Sequence, residues 1–322
     1  MNFRALPGNQ LFEGFCLIKS VEKKITAKGS NYLDFILTDT DGEISAKLWD
    51  VKDIPEMCFE RFDFVKVRGS FVSFNDSQQF RIDRIRKVTP DDGVDINDYV
   101  PSACLSGEVM LEEIEKVIDD FSDYELKLFT RAVLDEYREK LIYWPAAKGL
   151  HHAIRGGLLM HTLSILRLAK AVCGVYTYVN CDLLCAGAIL HDISKVDEID
   201  SAETGVPGEY TVKGNLIGHL VLGAIKVSEQ GKKLGISDDT VTLLEHMLIS
   251  HHGVPEFGAA KVPMFTEAIL LSMLDDMDAK MYESRAALLE TEPGEFTQKL
   301  WNFDNIRLYN HGRDEDGGVE LI

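Results

Sequence analysis

Apolar and polar positions alternate along the first ninety residues, which is the period-two pattern of β-strands with one buried face. The stretch YLDFILTDTDGEISAKLWD contains two such runs around Asp41-Gly42, a dipeptide that favours a tight hairpin. The stretch DFVKVRGSFVSFNDSQQFRIDRIRKV repeats the pattern with turn-forming residues NDS in its middle, and GFCLIKSVEKKIT adds another strand. About five strands over residues 1–90 predict a small OB-like β-barrel, although alternation alone does not separate this fold from other small barrels.

From Ser106 onward the spacing of apolar residues changes to the three-and-four pattern of helices that bury one face. Seven segments show it: SGEVMLEEIEKVIDDF, YELKLFTRAVLDEYREKLI, GGLLMHTLSILRLAKAV, CDLLCAGAILHDISK, LIGHLVLGAIKVSEQ, DDTVTLLEHMLIS and FTEAILLSMLDDMDAKMYESRAALLE. The intervening VTPDDGVDINDYVPSAC has neither period and is typical of a linker. We therefore predict a multi-domain chain of α and β structure. Its parts are a five-stranded OB-like barrel over 1–90, a linker over 91–105, an all-α domain over 106–307 and an acidic tail over 308–322.

The composition is that of a folded protein with a substantial core. The chain has 322 residues, of which 45% are hydrophobic and 27% charged, which suits two or three domains. The first residues, MNFRALPGNQ, lack the apolar segment of a signal peptide, and no apolar run reaches the roughly 18 residues of a membrane span, so we expect a cytoplasmic location and no membrane partner. Among six cysteines, Cys181 and Cys185 lie one helical turn apart among apolar residues, which favours reduced core thiols over disulfides or a zinc knuckle.

Charge is distributed unevenly along the chain. The formal net charge of -19 argues against a protein that binds nucleic acid through a broad basic surface. However, residues 1–90 hold 14 Lys and Arg against 13 Asp and Glu, a net of +1, so the remaining 232 residues carry -20. Aromatic and basic residues accompany each other in the predicted barrel, which is how OB folds bind single strands, although about half of these aromatics should belong to the barrel core. We expect Trp49, Phe74 and Arg81 to contact nucleic acid.

Eight of the nine histidines fall between residues 151 and 252. Several of them, and two aspartates, lie on helix faces that the apolar pattern directs toward a core. These inward positions are His161, His191, His219, Asp275 and Asp278, and Asp192 lies beside His191 at the end of its helix. A single inward histidine is more often a hydrogen-bonded core residue than a ligand, and for His246 we accept that ordinary interpretation. The joint pattern on several helices is harder to explain by chance.

Carboxylates on a core-facing stripe cost several kcal/mol unless a cation neutralises them. Only Lys195 and Lys280 lie near them in sequence, whereas the inward imidazoles and the His251-His252 pair offer neutral nitrogen ligands. Two divalent cations would satisfy both sets of groups. Imidazole nitrogen with bridging carboxylate suits Mn, Fe, Co, Ni or Zn, whereas Mg and Ca prefer oxygen ligands. The sequence therefore predicts a divalent transition-metal centre, with two ions.

These residues resemble a known signature. His161, the His191-Asp192 doublet and the distant Asp275 are similar to the H…HD…D pattern of the HD-domain metal-dependent phosphohydrolases, and the further histidines resemble the subset that holds more than one metal. The OB-like front followed by AAKGLHHAIRGGLLMHTLS and LDDMDAK resembles, more narrowly, the YhaM-type 3′-to-5′ exoribonucleases, over nearly the whole chain before the tail. The resemblance implies as metal ligands His161, His191, Asp192, His219, His251, His252 and Asp275.

The resemblance also implies a reaction. Metal ions, with Mn first among the candidates, would activate water to hydrolyse single-stranded RNA, or single-stranded DNA, from its 3′ end and release nucleoside 5′-monophosphates. Asp192 and Lys195 would be catalytic, with Lys195 donating to a non-bridging phosphate oxygen. His151, His152 and Arg155 would hold the terminal nucleotide, although a polar loop before a helix explains these three residues equally well. The oligomeric state stays open, and a homo-oligomer is compatible with the sequence.

Three other functions account for less of the pattern. An HD phosphohydrolase that acts on free nucleotides would not need the OB-like front. A cyclic-dinucleotide phosphodiesterase of the HD-GYP branch would carry HHE and then a Gly-Tyr-Pro element where this chain has HHGVPEFG. A non-catalytic nucleic-acid-binding protein would not need an apparently complete ligand set.

Overall fold

The computed structural model describes residues 11–26, 29–39, 42–49, 59–74, 77–149 and 152–313, with the backbone alone at 73, 74 and 77. The chain divides into two compact units. One consists of Met1–Ser102 with Ser201–Val206, and the other of Ala103–Asp200 with Pro207–Ile322.

Five strands close into a barrel in the first unit. They are β1 (Leu11–Ile25), β2 (Asn31–Asp39), β3 (Gly42–Leu48), β4 (Phe64–Phe74) and β5 (Ser77–Lys87). The order around the barrel is β1-β2-β3-β5-β4, and neighbours are antiparallel except for the parallel pair β3 and β5. The OB-like barrel predicted from the alternating pattern is confirmed. Asp39 pairs with Gly42, as a tight hairpin requires, while the predicted turn residues Asp41 and 75–76 lie outside the described residues.

Alternate residues of the strands fill the barrel interior. Phe35, Phe71 and Phe80 are buried, and the ring centroids of the last two are 5.0 Å apart. Trp49, in contrast, is 41% exposed. The barrel aromatics are thus divided between the core and the surface, as the sequence predicts.

The segment after β5, which includes part of the linker predicted over 91–105, packs on the barrel. It forms short 3₁₀ turns at Pro90–Asp92 and Ile96–Asp98. The ring of Tyr99 lies 5.0 Å from that of Phe64, and Asp92 forms a bidentate ion pair with Arg86 at 2.5 and 2.7 Å. The ring of Tyr99 against two phenylalanines and the ion pairs of Asp92 with Arg86 and Lys66 hold this segment. Contacts of this kind produce no periodic pattern that sequence inspection would detect.

The second unit is helical. Its helices are α1 (Gly107–Asp119), α2 (Tyr124–Leu141), α3 (Gly157–Val175), α4 (Cys181–Leu190), α5 (Lys195–Glu198), α6 (Val212–Leu216), α7 (His219–Leu234), α8 (Asp238–Ser250) and α9 (Thr266–Leu289). Side chains of Ser106, Asp123, Asn180 and Ser237 accept hydrogen bonds from the first turns of α1, α2, α4 and α8. These caps account for why the helices begin where they do.

Helices α3 and α4 form the centre of this unit. Helix α3 packs against α1, α4 and α9, and α4 also contacts α2 and α8. Helix α3 is long and apolar enough to cross a membrane by length and composition, and its packing against three other helices accounts for that apolar character. Its start depends on glycine: Gly156 adopts φ 71°, and a Cβ on Gly157 would lie 2.0 Å from the carbonyl oxygen of His152.

Two details of the helical unit differ from the predicted ones. A two-stranded hairpin, β6 (Ile199–Ser201) with β7 (Pro207–Tyr210), interrupts the helices, because strands of three and four residues are too short to show a period. The tail predicted over 308–322 begins later, since the backbone of Leu308 pairs with Thr297 and that of Asn310 with Glu295. Residues 314–322 lie outside the described residues.

Candidate metal centre

The ends of several helices bring all seven predicted ligands together. His161 lies in α3, His191 caps the C-terminus of α4 and Asp192 follows it, and His219 is the first residue of α7. The remaining three are His251, which caps α8, the adjacent His252, and Asp275 of α9. The predicted helix LIGHLVLGAIKVSEQ begins three residues before His219, whereas α7 begins at His219 itself, directly after Gly218 with φ 76°.

Asp192 occupies the middle of the cluster and is only 2% exposed. Its Oδ2 atom lies 3.4 Å from Nε2 of His191 and 3.6 Å from Nε2 of His161. Its Oδ1 atom lies 3.3 Å from Nε2 of His219 and 3.6 Å from Nε2 of His251. The two carboxylate oxygens therefore face two different sets of imidazoles.

The first set also includes the carboxylate of α9. Nε2 of His161 is 3.1 Å from Oδ1 of Asp275 and 3.3 Å from Nε2 of His191. In the second set, the imidazole ring of His219 lies 5.7 Å from that of His251 and 5.2 Å from that of His252. The ligand atoms of His161, His191 and Asp192 lie within 4.8 Å of one another, and so do those of the three histidines of the second set.

Acceptors outside the cluster fix the orientation of every imidazole. The Nδ1 atoms contact Asp278 Oδ2 for His161, Ala188 O for His191, Glu198 Oε2 for His219, Leu248 O for His251 and Phe257 O for His252, at 2.7 to 2.9 Å. A carbonyl or ionised carboxylate oxygen can only accept, so Nδ1 carries the proton and donates. In the neutral form of each ring, the Nε2 atom is then left with its lone pair available, which is the arrangement of metal-binding histidines in proteins.

The charge states also suit metal binding. Burial raises the pKa of Asp192, but Lys195 and His191 more than offset burial and hold that pKa well below its usual range. Burial lowers the pKa of His251 to about 4, although Asp192 partly opposes this. Burial likewise lowers the pKa of His161, but hydrogen bonds to Asp275 and Asp278 raise it to about 9. Asp192 is thus ionised and His251 neutral at neutral pH, as metal ligands must be. The carboxylates around His161 favour its protonated form, so a metal bound by His161 would displace the Nε2 proton.

Lys195 is the cation closest to the bridging carboxylate. Its Nζ atom donates to Oδ2 of Asp192 at 2.6 Å, and the residue is almost completely buried. Burial lowers the pKa of Lys195, but Asp192 raises it by more, so the ammonium stays charged. The position one turn after His191, predicted from sequence, places this charge in direct contact with the centre.

Unsatisfied polar atoms test whether these residues fit a metal. Oδ1 of Asp192, Nε2 of His219 and Nε2 of His251 are buried without a hydrogen-bond partner. Leaving such atoms unpaired costs about 1–3 kcal/mol each, and all three face the same volume. A divalent cation bonded to them would remove that cost, so the donor set fits the expected metal.

The predicted nucleotide contacts before α3 behave differently. His152, expected in a polar loop, is 1% exposed, and its Nε2 atom lies 2.9 Å from Oδ2 of Asp278. The burial of His152 differs from the exposed loop that its sequence context indicates, and its contact with Asp278 places it beside the carboxylate that also contacts His161. Its contact with a nucleotide stays a prediction. Arg155 is half-buried with its guanidinium 5.6 Å from the ring centre of Tyr143. His151 lies outside the described residues.

Two carboxylates of the site were missed as functional residues. Asp278 shares the apolar stripe of α9 with Asp275, so its inward direction was visible in the sequence but its contact with His161 was not. Glu198 accepts from both the backbone N and Nδ1 of His219 at 3.0 Å. No periodic signal marks Glu198, because it lies in the four-residue helix α5.

The barrel carries an exposed aromatic pair on its outer face. The rings of Tyr32 and Trp49 are stacked, with centroids 4.7 Å apart and planes inclined by 27°. Nζ of Lys47 lies 5.1 Å from the centre of the Tyr32 ring, and Lys47 pairs with the exposed Arg81 across β3 and β5. Trp49 and Arg81 are therefore on the surface, as predicted, while the side chain of Phe74 lies outside the described residues.

The chain is similar to several known proteins. The family model described as HD domain matches residues 158–280. The chain is 40% identical over 298 residues to the 3′-5′ exoribonuclease YhaM of Listeria welshimeri, covering 92% of this chain and 94% of the relative. It is 38% identical over 295 residues to the YhaM of Geobacillus sp. (strain WCH70), covering 92% and 90%. A structure titled "Structure and Conformational Change of a Replication Protein A Heterotrimer Bound to ssDNA" matches 29% of this chain and 64% of that chain, with 19% identity and a TM-score of 0.22.

Proposed function

The chain belongs to the YhaM family of 3′-5′ exoribonucleases, and on this premise we propose that it hydrolyses single-stranded RNA to nucleoside 5′-monophosphates with two manganese ions. It is a metal-dependent hydrolase with a divalent metal in the HD domain and a nucleic-acid substrate. The observation that carries the proposal is the position of Asp192, whose two oxygens face two separate sets of imidazoles.

The two ions would divide the ligand set at that carboxylate. We assign His161, His191 and Asp275 to one ion and His219, His251 and His252 to the other, with Asp192 shared between them. Oδ1 of Asp192 and the Nε2 atoms of His219 and His251, which lack hydrogen-bond partners, belong to the second ion in this division and support it. Imidazole nitrogen with carboxylate oxygen, and no thiolate in the assigned set, suits Mn, Fe, Co, Ni or Zn, and we propose manganese as the first of these ions to test.

The chemistry of the bound metal is that of a Lewis acid, which lowers the pKa of a bound water toward neutrality and neutralises phosphate oxygens. The chain supplies orientation and charge. Asp278 and Glu198 hold the imidazoles of His161 and His219, so that the ligand atoms stay in place when a substrate phosphate approaches. His252 and Asp275 are less buried than the other ligands, which makes their side of the centre the side from which solvent and substrate approach.

Lys195 would stabilise the negative charge that develops on the phosphate. Its ammonium has three N–H donors, of which Asp192 needs one. A buried, charged donor at a fixed position is effective because it requires no reorganisation during the reaction. We therefore retain Lys195 as a catalytic residue, donating to a non-bridging phosphate oxygen.

RNA binding would use the outer face of the barrel. The exposed indole of Trp49, backed by Tyr32, offers a surface on which a base can stack, and Lys47 and Arg81 supply positive charge beside it. Base–aromatic stacking contributes about 1–3 kcal/mol per base and needs little sequence preference. Stacking also requires an unpaired base, which favours single-stranded over double-stranded substrates.

The proposal is tested with a 5′-labelled single-stranded oligoribonucleotide, its duplex and the DNA of the same sequence, each incubated with protein and manganese. We expect the single strand to shorten from its 3′ end with release of 5′-monophosphates, and the duplex to resist. An intact RNA strand together with phosphate release from free nucleotides would contradict the proposal and favour a nucleotide phosphohydrolase. The Asp192→Ala variant is the control for contaminating nucleases.

A further inference from the structure

Two arginines face each other on the outer surface of the barrel. The Cα atom of Arg68 in β4 pairs with that of Arg84 in β5, and both side chains are exposed. Like charges at directly opposite positions destabilise a sheet. In the part of the chain that the structure describes, neither guanidinium forms an ion pair or a side-chain hydrogen bond. Glu13 of β1 lies opposite Arg68, but its carboxylate pairs with Lys66 at 3.2 Å. The fold itself therefore does not offset the repulsion between the two arginines.

A β-bulge directs Arg84 toward the outside of the barrel. In the first half of β5 the even-numbered residues are buried, as Ile82 is, so strict alternation would direct residue 84 into the core. The register of β4 against β5 shifts at this point, which leaves Asp83 as an extra residue without a partner in β4. Beyond it the alternation is inverted, and Ile85 rather than Arg84 packs against the barrel core. Bulges that redirect a side chain are frequent next to functional sites.

The arginine pair is in line with the stacked aromatic pair on the same surface. The parallel register of β3 and β5 places Trp49, which follows the last residue of β3, level with the bulge in β5. Tyr32, Trp49, Arg84 and Arg68 therefore form a row across β2, β3, β5 and β4. Neighbouring strands are about 4.8 Å apart, so the backbone at Trp49 is about 5 Å from Arg84 and about 10 Å from Arg68. A base that stacks on Trp49 would have a flanking phosphate within reach of both guanidinium groups.

We propose that Arg68 and Arg84 together bind one phosphate of the single strand whose base stacks on Trp49. The inference rests on the proposed function for the nature of that strand, and it adds a contact outside the residues assigned there. Guanidinium groups hold phosphate oxygens through charge-assisted and often bidentate hydrogen bonds. A phosphate between the two arginines would also remove their mutual repulsion. The bound strand would then cross β3, β5 and β4 rather than run along one of them.

The salt dependence of binding separates a phosphate contact from stacking. In a double-logarithmic plot, affinity for a single strand falls with salt by a slope of about 0.7 for each phosphate contacted. Binding of a 5′-fluorescein-labelled oligouridylate of about 16 nucleotides, the upper limit of one OB-fold site, is followed by fluorescence anisotropy at several potassium chloride concentrations. The full chain is used with a chelator, so that the metal-dependent reaction does not occur.

The variants change the arginine pair and compare it with its surroundings. One carries Arg68→Gln with Arg84→Gln, and a second carries Arg68→Lys with Arg84→Lys, which keeps both charges. Arg86→Gln is the matched control, because Arg86 is exposed on the same strand but is neutralised by Asp92 at 2.5 Å. Trp49→Ala removes the stacking contact. Circular dichroism establishes that each variant is folded.

We expect the double glutamine variant to lose about 0.7 of the salt slope and to bind RNA about 10- to 150-fold more weakly at low salt. The double lysine variant and Arg86→Gln should keep the slope of the parent chain, and Trp49→Ala should weaken binding without changing the slope. An unchanged slope in the double glutamine variant would overturn the proposal. An equal loss of slope in Arg86→Gln would overturn it as well, because the effect would then be that of net charge alone.

Hydrolysis of the same RNA by the parent chain with manganese is measured separately. If the parent chain hydrolyses RNA but the glutamine substitutions leave the salt slope unchanged, the phosphate contact is wrong and the proposed function stands. If the slope changes as expected but no RNA is hydrolysed, the contact stands and the exonuclease function is wrong.

Discussion

Replacing Asp278 with asparagine should weaken metal binding although Asp278 is not one of the proposed ligands. Its Oδ2 atom accepts from Nδ1 of His161 at 2.7 Å and lies 2.9 Å from Nε2 of His152. Asparagine has nearly the same shape but carries no charge, so the substitution leaves packing almost unchanged while removing the anion that orients and polarises His161. The variant therefore separates positioning of a ligand from ligation itself.

The size of the effect follows from this contact. A buried hydrogen bond to a charged group contributes about 1.5–3 kcal/mol. Loss of such a partner behind a metal-binding histidine costs about 10- to 100-fold in metal affinity, which corresponds to about 1.4–2.7 kcal/mol. The manganese concentration for half-maximal activity should rise by that factor, whereas kcat at saturating manganese should stay close to that of the parent chain.

The assay is RNA hydrolysis as a function of manganese concentration. Asp276→Asn is the matched control, since Asp276 lies on the same helix, is exposed, and forms an ion pair with Lys280 at 2.7 Å. This variant should show the manganese dependence of the parent chain. An unchanged manganese midpoint in Asp278→Asn would refute the positioning role. A loss of kcat that manganese does not restore would show that Asp278 acts in the reaction directly.

Four further outcomes are expected. Asp192→Ala should abolish RNA hydrolysis while circular dichroism stays that of the parent; measurable turnover would refute the assigned bridge. Dialysis against a chelator should remove activity, and manganese but not calcium should restore it, because calcium prefers oxygen ligands; survival of activity would contradict a metal-dependent reaction. Trp49→Ala should raise KM for RNA by about 5- to 150-fold with little change in kcat, as expected for loss of one stacking contact. Trp301→Ala removes an exposed tryptophan of the helical unit and should leave KM unchanged. Equal effects of the two substitutions would contradict a specific role of Trp49 in stacking on a base. Phe129→Ala should destabilise the helical core by about 3–5 kcal/mol in urea unfolding, and a change under 1 kcal/mol would contradict its complete burial.

The barrel could be predicted because its signal is local. Alternation identified the strands, but it does not fix the register of β2 against β3. A tight turn with Asp41-Gly42 as its two central residues would pair Thr40 with Glu43, whereas the structure pairs Asp39 with Gly42 and so brings Tyr32 opposite Trp49. The stacked pair was therefore out of reach of the sequence. What alternation could not give is the packing of Tyr99 on Phe64, since a single residue in an irregular segment has no period.

That the candidate ligands converge could be predicted because each lies on an apolar stripe or next to a ligand-type neighbour. Their grouping around the two oxygens of Asp192 could not, because it depends on how separate helix ends meet in space. His152 shows the limit most clearly. Its sequence context, a polar stretch before two glycines, indicates an exposed loop, yet a left-handed conformation at φ 55° turns it inward onto Asp278. Backbone conformation of this kind at a non-glycine residue leaves no trace in composition or periodicity.

The proposal that two metal ions share the carboxylate of Asp192 is tested by the number of manganese ions that bind per chain. Equilibrium binding to the metal-free protein can be followed by the electron paramagnetic resonance of free manganese. We expect two manganese ions to bind per parent chain and tight binding to be lost in Asp192→Ala. A parent chain that binds no manganese, or an Asp192→Ala variant that still binds two ions tightly, would contradict it.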